Sequence, residues 1–282
     1  MRELSRYRKN RRFYAGRRKK TGILISDENY LIKYRRRLPE GAVCDHVSEY
    51  LGSHIFDMLG VSTQDTWLGK YRGEEVVLCR DFTSNEAVFL SFDQLGEYFT
   101  DLTDRPVLYE YDQIMEVLNR IFDISTAKVM INTFWDMVVI DAFVANGERD
   151  GSSWGFLKKG EQYSPAPVLG SDSCLFPEVV TDEQCREILA SKEEMERRIF
   201  EMPVPKLLYK GRVHSYYDMI SGHYFKECDK ALWRMIQKID FAAVNYLVES
   251  VAFTSSIRKK FLMTVLEERY KNLLLKPFEK RM

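Results

Sequence analysis

Two hydrophobic periods alternate along the chain, and the change from one to the other divides it. Over residues 22–26 and 30–34 apolar and polar positions take turns, with Asp27-Glu28-Asn29 between them. A period of two on either side of turn-forming residues predicts a β-hairpin. Over residues 45–59 the period lengthens, and Val47, Tyr50, Leu51, Ile55 and Leu59 fall on one helical face. Gly60 is placed to end that helix, because it accepts the left-handed backbone of a C-cap. Two further strands are predicted over residues 66–70 and 76–79, joined by a turn at Tyr71-Arg72-Gly73-Glu74-Glu75.

After Asp81-Phe82-Thr83 the helical period takes over. Amphipathic stretches at residues 92–102 and 111–122 lead to a more uniformly apolar helix over 127–145, which carries Val129, Met130, Phe134, Val138, Ala142 and Phe143. A polar loop over 146–153, a strand over 154–157 and a short strand or turn over 166–176 follow. Helices are predicted over 182–200, 216–221, 228–239, 241–253 and 255–275. No internal repeat interrupts the order. The reading is an α+β chain with a small β-rich N-lobe (residues 1–82) and a larger, mostly helical C-lobe (residues 83–282), the loop region 146–177 lying inside the latter. Such an order leaves room for a cleft between lobes, but the order alone names no ligand.

Composition adds one asymmetry. With 45% hydrophobic and 13% aromatic residues in 282, the chain is globular. Its formal charge is zero, yet residues 1–40 hold fourteen Lys or Arg against four acids, so the rest is acidic by the same excess. Basic clusters around Tyr7, Phe13, Tyr14 and Tyr34 suit a nucleic acid, an acidic partner protein or an acidic surface of the chain itself. No DNA-binding motif favours the first, and the plain expectation is a partly disordered, solvated arm. The five cysteines are scattered, with no C-x-x-C pair, and read as buried thiols in a reducing cytosol. The most apolar run, residues 129–144, is broken by Asn132, Asp136 and Asp141, too short and polar to span a bilayer. A cytoplasmic protein without membrane association is expected.

Three blocks carry chemistry. The first is Val47-Ser48-Glu49-Tyr50-Leu51-Gly52-Ser53-His54-Ile55-Phe56, with Leu59-Gly60-Val61 and Thr66-Trp67-Leu68-Gly69-Lys70-Tyr71 after it. The second is Val76-Val77-Leu78-Cys79-Arg80-Asp81-Phe82. The third runs from Val139-Ile140-Asp141 through Asn146-Gly147-Glu148-Arg149 and Ser153-Trp154-Gly155 to Ala166-Pro167-Val168-Leu169 and Leu175-Phe176-Pro177. In this order and spacing the chain resembles the HipA-like serine/threonine kinases, nearest the CtkA branch, over roughly residues 14–275.

That resemblance implies a two-lobed kinase fold with ATP and magnesium as its nucleotide and metal. It makes Lys33 the lysine that meets the phosphates and Glu49 the carboxylate that holds it. It places the adenine-binding hinge near residues 79–82, with Arg80 and Phe82 among its contacts. It also exposes three departures. Glu148 stands at the position of the catalytic aspartate, Ser153 at that of the metal-binding asparagine, and Gly170 at that of the second, metal-binding aspartate.

Each departure has a physical cost. One extra methylene moves a carboxylate by roughly 1 Å, a displacement that can cost about 100-fold in rate. Ser153 offers magnesium only a neutral oxygen, and Gly170 offers nothing. Asp172, two residues on, shares the face of Gly170 in extended chain but lies roughly 6–7 Å along it; it is the candidate replacement ligand, and Asp150 is another acid nearby. The Gly16-Arg17-Arg18-Lys19-Lys20-Thr21-Gly22 segment, where the family has a phosphate-binding loop of small residues, is dominated by long cations. The resemblance with these changes implies a pseudokinase acting as a nucleotide-binding or protein-interaction module. A divergent active kinase, with Glu148 as base and Asp172 as displaced metal ligand, is the second reading; a nucleotidyl transferase using the same cleft is the third. The partner or substrate implied is a protein of unknown identity, carrying the Ser or Thr to be phosphorylated in the active-kinase reading.

Overall fold

The hairpin forms where the period of two predicts it, as strands Lys20–Ile25 and Glu28–Tyr34. Its turn is tighter than expected. Ser26 and Asp27 both take left-handed backbone, at φ 49° and 65°, the two-residue geometry that follows the natural strand twist. Arg72 and Gly73 repeat the device, at φ 53° and 80°, between Thr66–Tyr71 and Glu74–Arg80. The computed structural model describes residues 2–14, 18–39, 41–83, 86–99, 109–252 and 254–281. Gly16 and Arg17 of the expected phosphate loop, and the ends of the helices expected over 92–102 and 241–253, lie outside these.

One sheet of five strands makes the N-lobe, in the order Arg2–Glu3, Thr66–Tyr71, Glu74–Arg80, Glu28–Tyr34, Lys20–Ile25. The first strand was not expected. The arm is solvated as expected, with most of its side chains exposed, but residues 2–14 follow a defined path across the sheet: Arg2–Glu3 pair in parallel with Gly69 and Lys70, and Lys9 bridges Ile23 on the opposite edge. Leu4, fully buried, anchors the crossing, and Gly69 makes room for it because a Cβ there would come within 2.9 Å of the Arg2 carbonyl oxygen. Hydrophobic anchoring and strand pairing fix the backbone, while the Arg and Lys side chains of the segment stay in solvent.

Helix Asp45–Met58 packs beneath the sheet. Its end is a Schellman cap, with the Val61 N–H donating to the Phe56 carbonyl at 3.0 Å and Gly60 left-handed at φ 76°. The C-lobe is built around helix Ile124–Phe143, which Asp123 caps by accepting from the Ser125 and Thr126 amides. Its C-terminal half, from Phe134 on, is apolar nearly all round and lies buried, with Trp135 and Phe143 at the centre of the main core, whereas Ile124 and Val129, the latter among the positions expected in the buried helix, are exposed.

Two of the expected helices are divided, the first for a local reason. The stretch over 182–200 breaks into Asp182–Ala190, Lys192–Glu196 and a π-turn Arg197–Glu201, because Ser191 leaves the helix to cap the second piece through the Glu194 amide. The last helix runs as Ser256–Arg269, then a π-turn Tyr270–Leu275, then Lys276–Glu279. Strand Ala87–Ser91 gives no alternating signal, yet it pairs with Gly155–Lys159. Gly155 permits that approach, since a Cβ there would lie 2.1 Å from the Leu90 carbonyl oxygen. No helix among the described residues is long and apolar enough to cross a membrane.

Candidate functional site

Sheet register builds one wall of the site. Alternation along Glu28–Tyr34 and Glu74–Arg80 sends Tyr30, Ile32, Val76 and Leu78 into a small core with Leu4 and Ile23. Leu31, Val77 and Cys79 form a separate apolar cluster on the other face. Leu31 pairs across the strands with Cys79, and Lys33 with Val77, so Lys33 stands at the end of this wall. Its ammonium donates to Glu49 Oε2 at 2.9 Å, and Glu49 is almost wholly buried in helix Asp45–Met58. Burial works against the Lys33 charge, but the Glu49 carboxylate outweighs it and raises the ammonium above its ordinary range. Lys20 lies directly opposite Lys33 on the hairpin; burial, then the charges of Lys33 and Arg18, lower its pKa.

Below the wall, the loop after helix Ile124–Phe143 hangs on a buried lattice. Asp141 receives Arg149 through two hydrogen bonds of 2.7 and 2.8 Å, and all three of Asp141, Asn146 and Arg149 are buried. Burial opposes the guanidinium charge, yet Asp141 more than compensates and holds it firmly protonated. Asn146 donates to Asp141 at 2.8 Å and accepts from the Glu148 amide at 3.2 Å and the Ser173 hydroxyl at 2.5 Å. The Tyr216 hydroxyl donates to the Asn146 carbonyl at 2.6 Å. Arg149 also donates to the Leu169 carbonyl, tying the loop to the segment that carries Gly170.

The edge that this lattice presents is a different matter. Glu148 is more than half exposed, and its Oε2 accepts from Lys206 at 2.6 Å. Lys206, distant in sequence, carried no signal that could have found it. Ser153 and Gly170 abut: a Cβ on Gly170 would lie 3.0 Å from Ser153 Cβ. The structure thus brings the two sequence-assigned metal positions together, but neither carries a carboxylate. The Ser153 hydroxyl is engaged, donating to the Asp150 carbonyl at 2.9 Å. Asp150 turns its own carboxylate back onto Ser152, at 3.0 Å from the amide and 2.6 Å from the hydroxyl.

Asp172 is brought toward the wall by helix packing. Gly52 lets the segment 171–174 lie against helix Asp45–Met58, since a Cβ there would meet Ser171 Cβ at 2.6 Å and Cys174 Sγ at 3.0 Å. From this position the Asp172 charge reaches Lys33 and Lys20. Arg18 pairs with it directly, and lies 3.8 Å from Asp45 as well. Arg18, one of the long cations of the N-terminal segment, therefore meets acids of this chain. Lys19 instead sits over the Tyr34 ring, 4.2 Å from its centroid.

The strand leading out of the N-lobe is less open than expected. The Arg80 amide donates to Asp65 O and its carbonyl accepts from Gln64 Nε2, both at 2.9 Å, so the Arg80 main chain is already spent within the lobe. Its side chain pairs with Glu28 at 2.5 Å. Phe82 meets Phe89 edge-on, ring centroids 5.7 Å apart. Asp81, between them, accepts from Arg12 at 2.8 Å and the Tyr14 hydroxyl at 3.0 Å. Burial would raise its carboxyl, but hydrogen bonds from Thr83, Arg12 and Tyr14 bring it below the usual range.

Magnesium does not fit this donor set. The ion takes oxygen ligands in near-ideal octahedral geometry and leans on one or two carboxylates. Gly170 has no side chain, Ser153 is hydrogen-bonded elsewhere, and Asp172 is held by Arg18. Among the described residues no group of three or more His, Cys, Asp or Glu converges to hold a metal.

No family model matches the chain. The serine/threonine-protein kinase CtkA of Helicobacter pylori is 29% identical over 262 residues, which cover 90% of this chain and 80% of that protein. The crystal structure of a Helicobacter pylori proinflammatory kinase, CtkA, superposes with a TM-score of 0.88 at 27% identity, covering 99% of this chain and 97% of that one. HipA of Shewanella oneidensis, from a complex with HipB and operator DNA, gives a TM-score of 0.45 at 11% identity, over 89% of this chain and 60% of that one.

Proposed function

Since the chain is homologous to the kinase CtkA and shares its two-lobed fold, we propose that it is a kinase-fold protein that binds a nucleotide but does not transfer its phosphoryl group. The observation that carries this reading is the contact between Ser153 and Gly170 at the two metal positions. Phosphoryl transfer rests on positioning and on cations that neutralise charge across the phosphates. Here the cations come from the chain. Lys33, fixed by Glu49, and Lys20 beside it supply positive charge where phosphates would lie, so binding is expected without a divalent ion. Glu148, paired with Lys206 at the exposed edge, is poorly placed to accept a proton from a substrate hydroxyl.

Calorimetry with ATP tests the reading. Binding that persists in a chelator and is lost in Lys33→Ala is the expected result. Binding that requires magnesium, or no binding at millimolar nucleotide, would overturn it. A second reading, an active kinase with Glu148 as base and Asp172 as displaced metal ligand, is favoured by one observation: the Asp172 charge reaches Lys33. It requires Asp172 to leave Arg18 and Glu148 to leave Lys206.

A further inference from the structure

The apolar wall beneath Lys33 already has an occupant. Leu31, Val77 and Cys79 face away from the N-lobe core, and the partly buried hydrophobic side chain packed on them among the described residues is Tyr14. Its position is made by an absence. Gly22 lies directly across the hairpin from Leu31, and a Cβ there would sit 2.8 Å from Tyr14 Cε2 and 2.0 Å from Asn10 Oδ1. Any side chain at residue 22 would displace the ring. Polar bonds then hold it from both directions. The Tyr14 hydroxyl donates to Asp81 Oδ2 at 3.0 Å, Arg12 donates to the same oxygen at 2.8 Å and to Thr83 at 2.9 Å, and Asn10 donates to the Tyr14 oxygen at 3.2 Å. Further along the chain, Arg18 pairs with Asp172 on the far side of Lys33.

A flat ring on an apolar wall, with one polar edge bonded at the strand leading out of the lobe, occupies that wall as a purine base would. We propose that Tyr14 is a built-in competitor for the nucleotide: it covers the base-binding wall in the free protein and must swing out before a purine docks there. This rests on the nucleotide reading given above. The apparent affinity for nucleotide is then reduced by the fraction of molecules in which Tyr14 is displaced.

Cys79 gives a readout that needs no nucleotide, since it is fully buried in the cluster that Tyr14 covers. The experiment compares wild type, Tyr14→Ala and Tyr14→Phe in the full chain. Alkylation of Cys79 by iodoacetamide is followed peptide by peptide, and ATP affinity is measured in parallel. Tyr14→Ala should label Cys79 about tenfold faster than wild type, since local opening controls access, and should bind ATP about tenfold tighter. Bound ATP should restore protection. Unchanged labelling in Tyr14→Ala overturns the proposal, and so does equal ATP affinity in wild type and variant. Faster labelling with no ATP binding in either protein keeps the cover and removes the nucleotide reading instead. Cys174 and Cys228, also buried, report global unfolding. Should their labelling rise too, Tyr14→Phe, which keeps the ring and loses its bonds to Asp81 and Asn10, is judged by the same two criteria.

Discussion

The loop after helix Ile124–Phe143 has two sides that differ in kind. Its buried side is a closed lattice in which Asp141, Asn146, Arg149 and Tyr216 satisfy one another. Its outer side carries Glu148 and Ser153, with Gly170 of the neighbouring segment against Ser153; these bond to a surface lysine, to the local backbone, or through no side chain at all. The first side sets the shape of a kinase loop and the second would set its chemistry. Only a few residues separate them, so the interactions that make the fold do not depend on those that would make the reaction.

Mutations on the two sides should therefore differ widely in cost. Arg149→Met strands the buried Asp141 carboxylate, and removing one partner of such a pair costs about 3–5 kcal/mol. A melting-temperature drop of about 10 °C is expected for a chain of this size; a drop of a degree or two would mean that the lattice is not what holds the loop.

Acid should weaken the fold from a second buried site, His46 in helix Asp45–Met58. Burial, then the charges of Arg35 and Arg258, lower its pKa to about 3. The unfolded chain protonates this histidine near pH 6.5, while the folded one does not until near pH 3. Stability is thus full above pH 6.5 and falls as pH drops through that window, by about 1.4 kcal/mol per pH unit once below 6.5. Denaturant titrations of wild type and His46→Gln between pH 7 and 4 should diverge, the variant being flatter.

Restoring an acid at the outer side should cost less than breaking the lattice, but it should not be free. Gly170 sits at φ 78° with Ser153 at contact distance, so Gly170→Asp adds left-handed strain of about 1–2 kcal/mol. A lowered melting temperature with no gain of magnesium-dependent phosphotransfer is expected; a stable, magnesium-responsive variant would show that the loop still accommodates the ligand. Glu148→Gln, on the exposed edge, should move stability by no more than about 0.5 kcal/mol.

Much of this frame was legible from residue order. The hairpin, helix Asp45–Met58 and helix Ile124–Phe143 follow from strong periodicity, and the Lys33–Glu49 contact from the resemblance laid over it. The contacts that residue order does not encode join groups far apart in sequence. Lys206 meets Glu148 across 58 positions and Arg18 meets Asp172 across 154, and no local pattern encodes either. The charge of the N-terminal segment encodes its solvation but not its path, which Leu4 and Tyr14 fix by packing. Strand Ala87–Ser91 lacks alternation and is made a strand by its neighbour Gly155–Lys159.

The most direct test is a phosphotransfer assay with γ-labelled ATP and magnesium, run on wild type beside Lys33→Ala. Label incorporation no greater in wild type than in Lys33→Ala is the predicted result. Magnesium-dependent incorporation by wild type that disappears in Lys33→Ala would contradict the account and make this chain a working kinase.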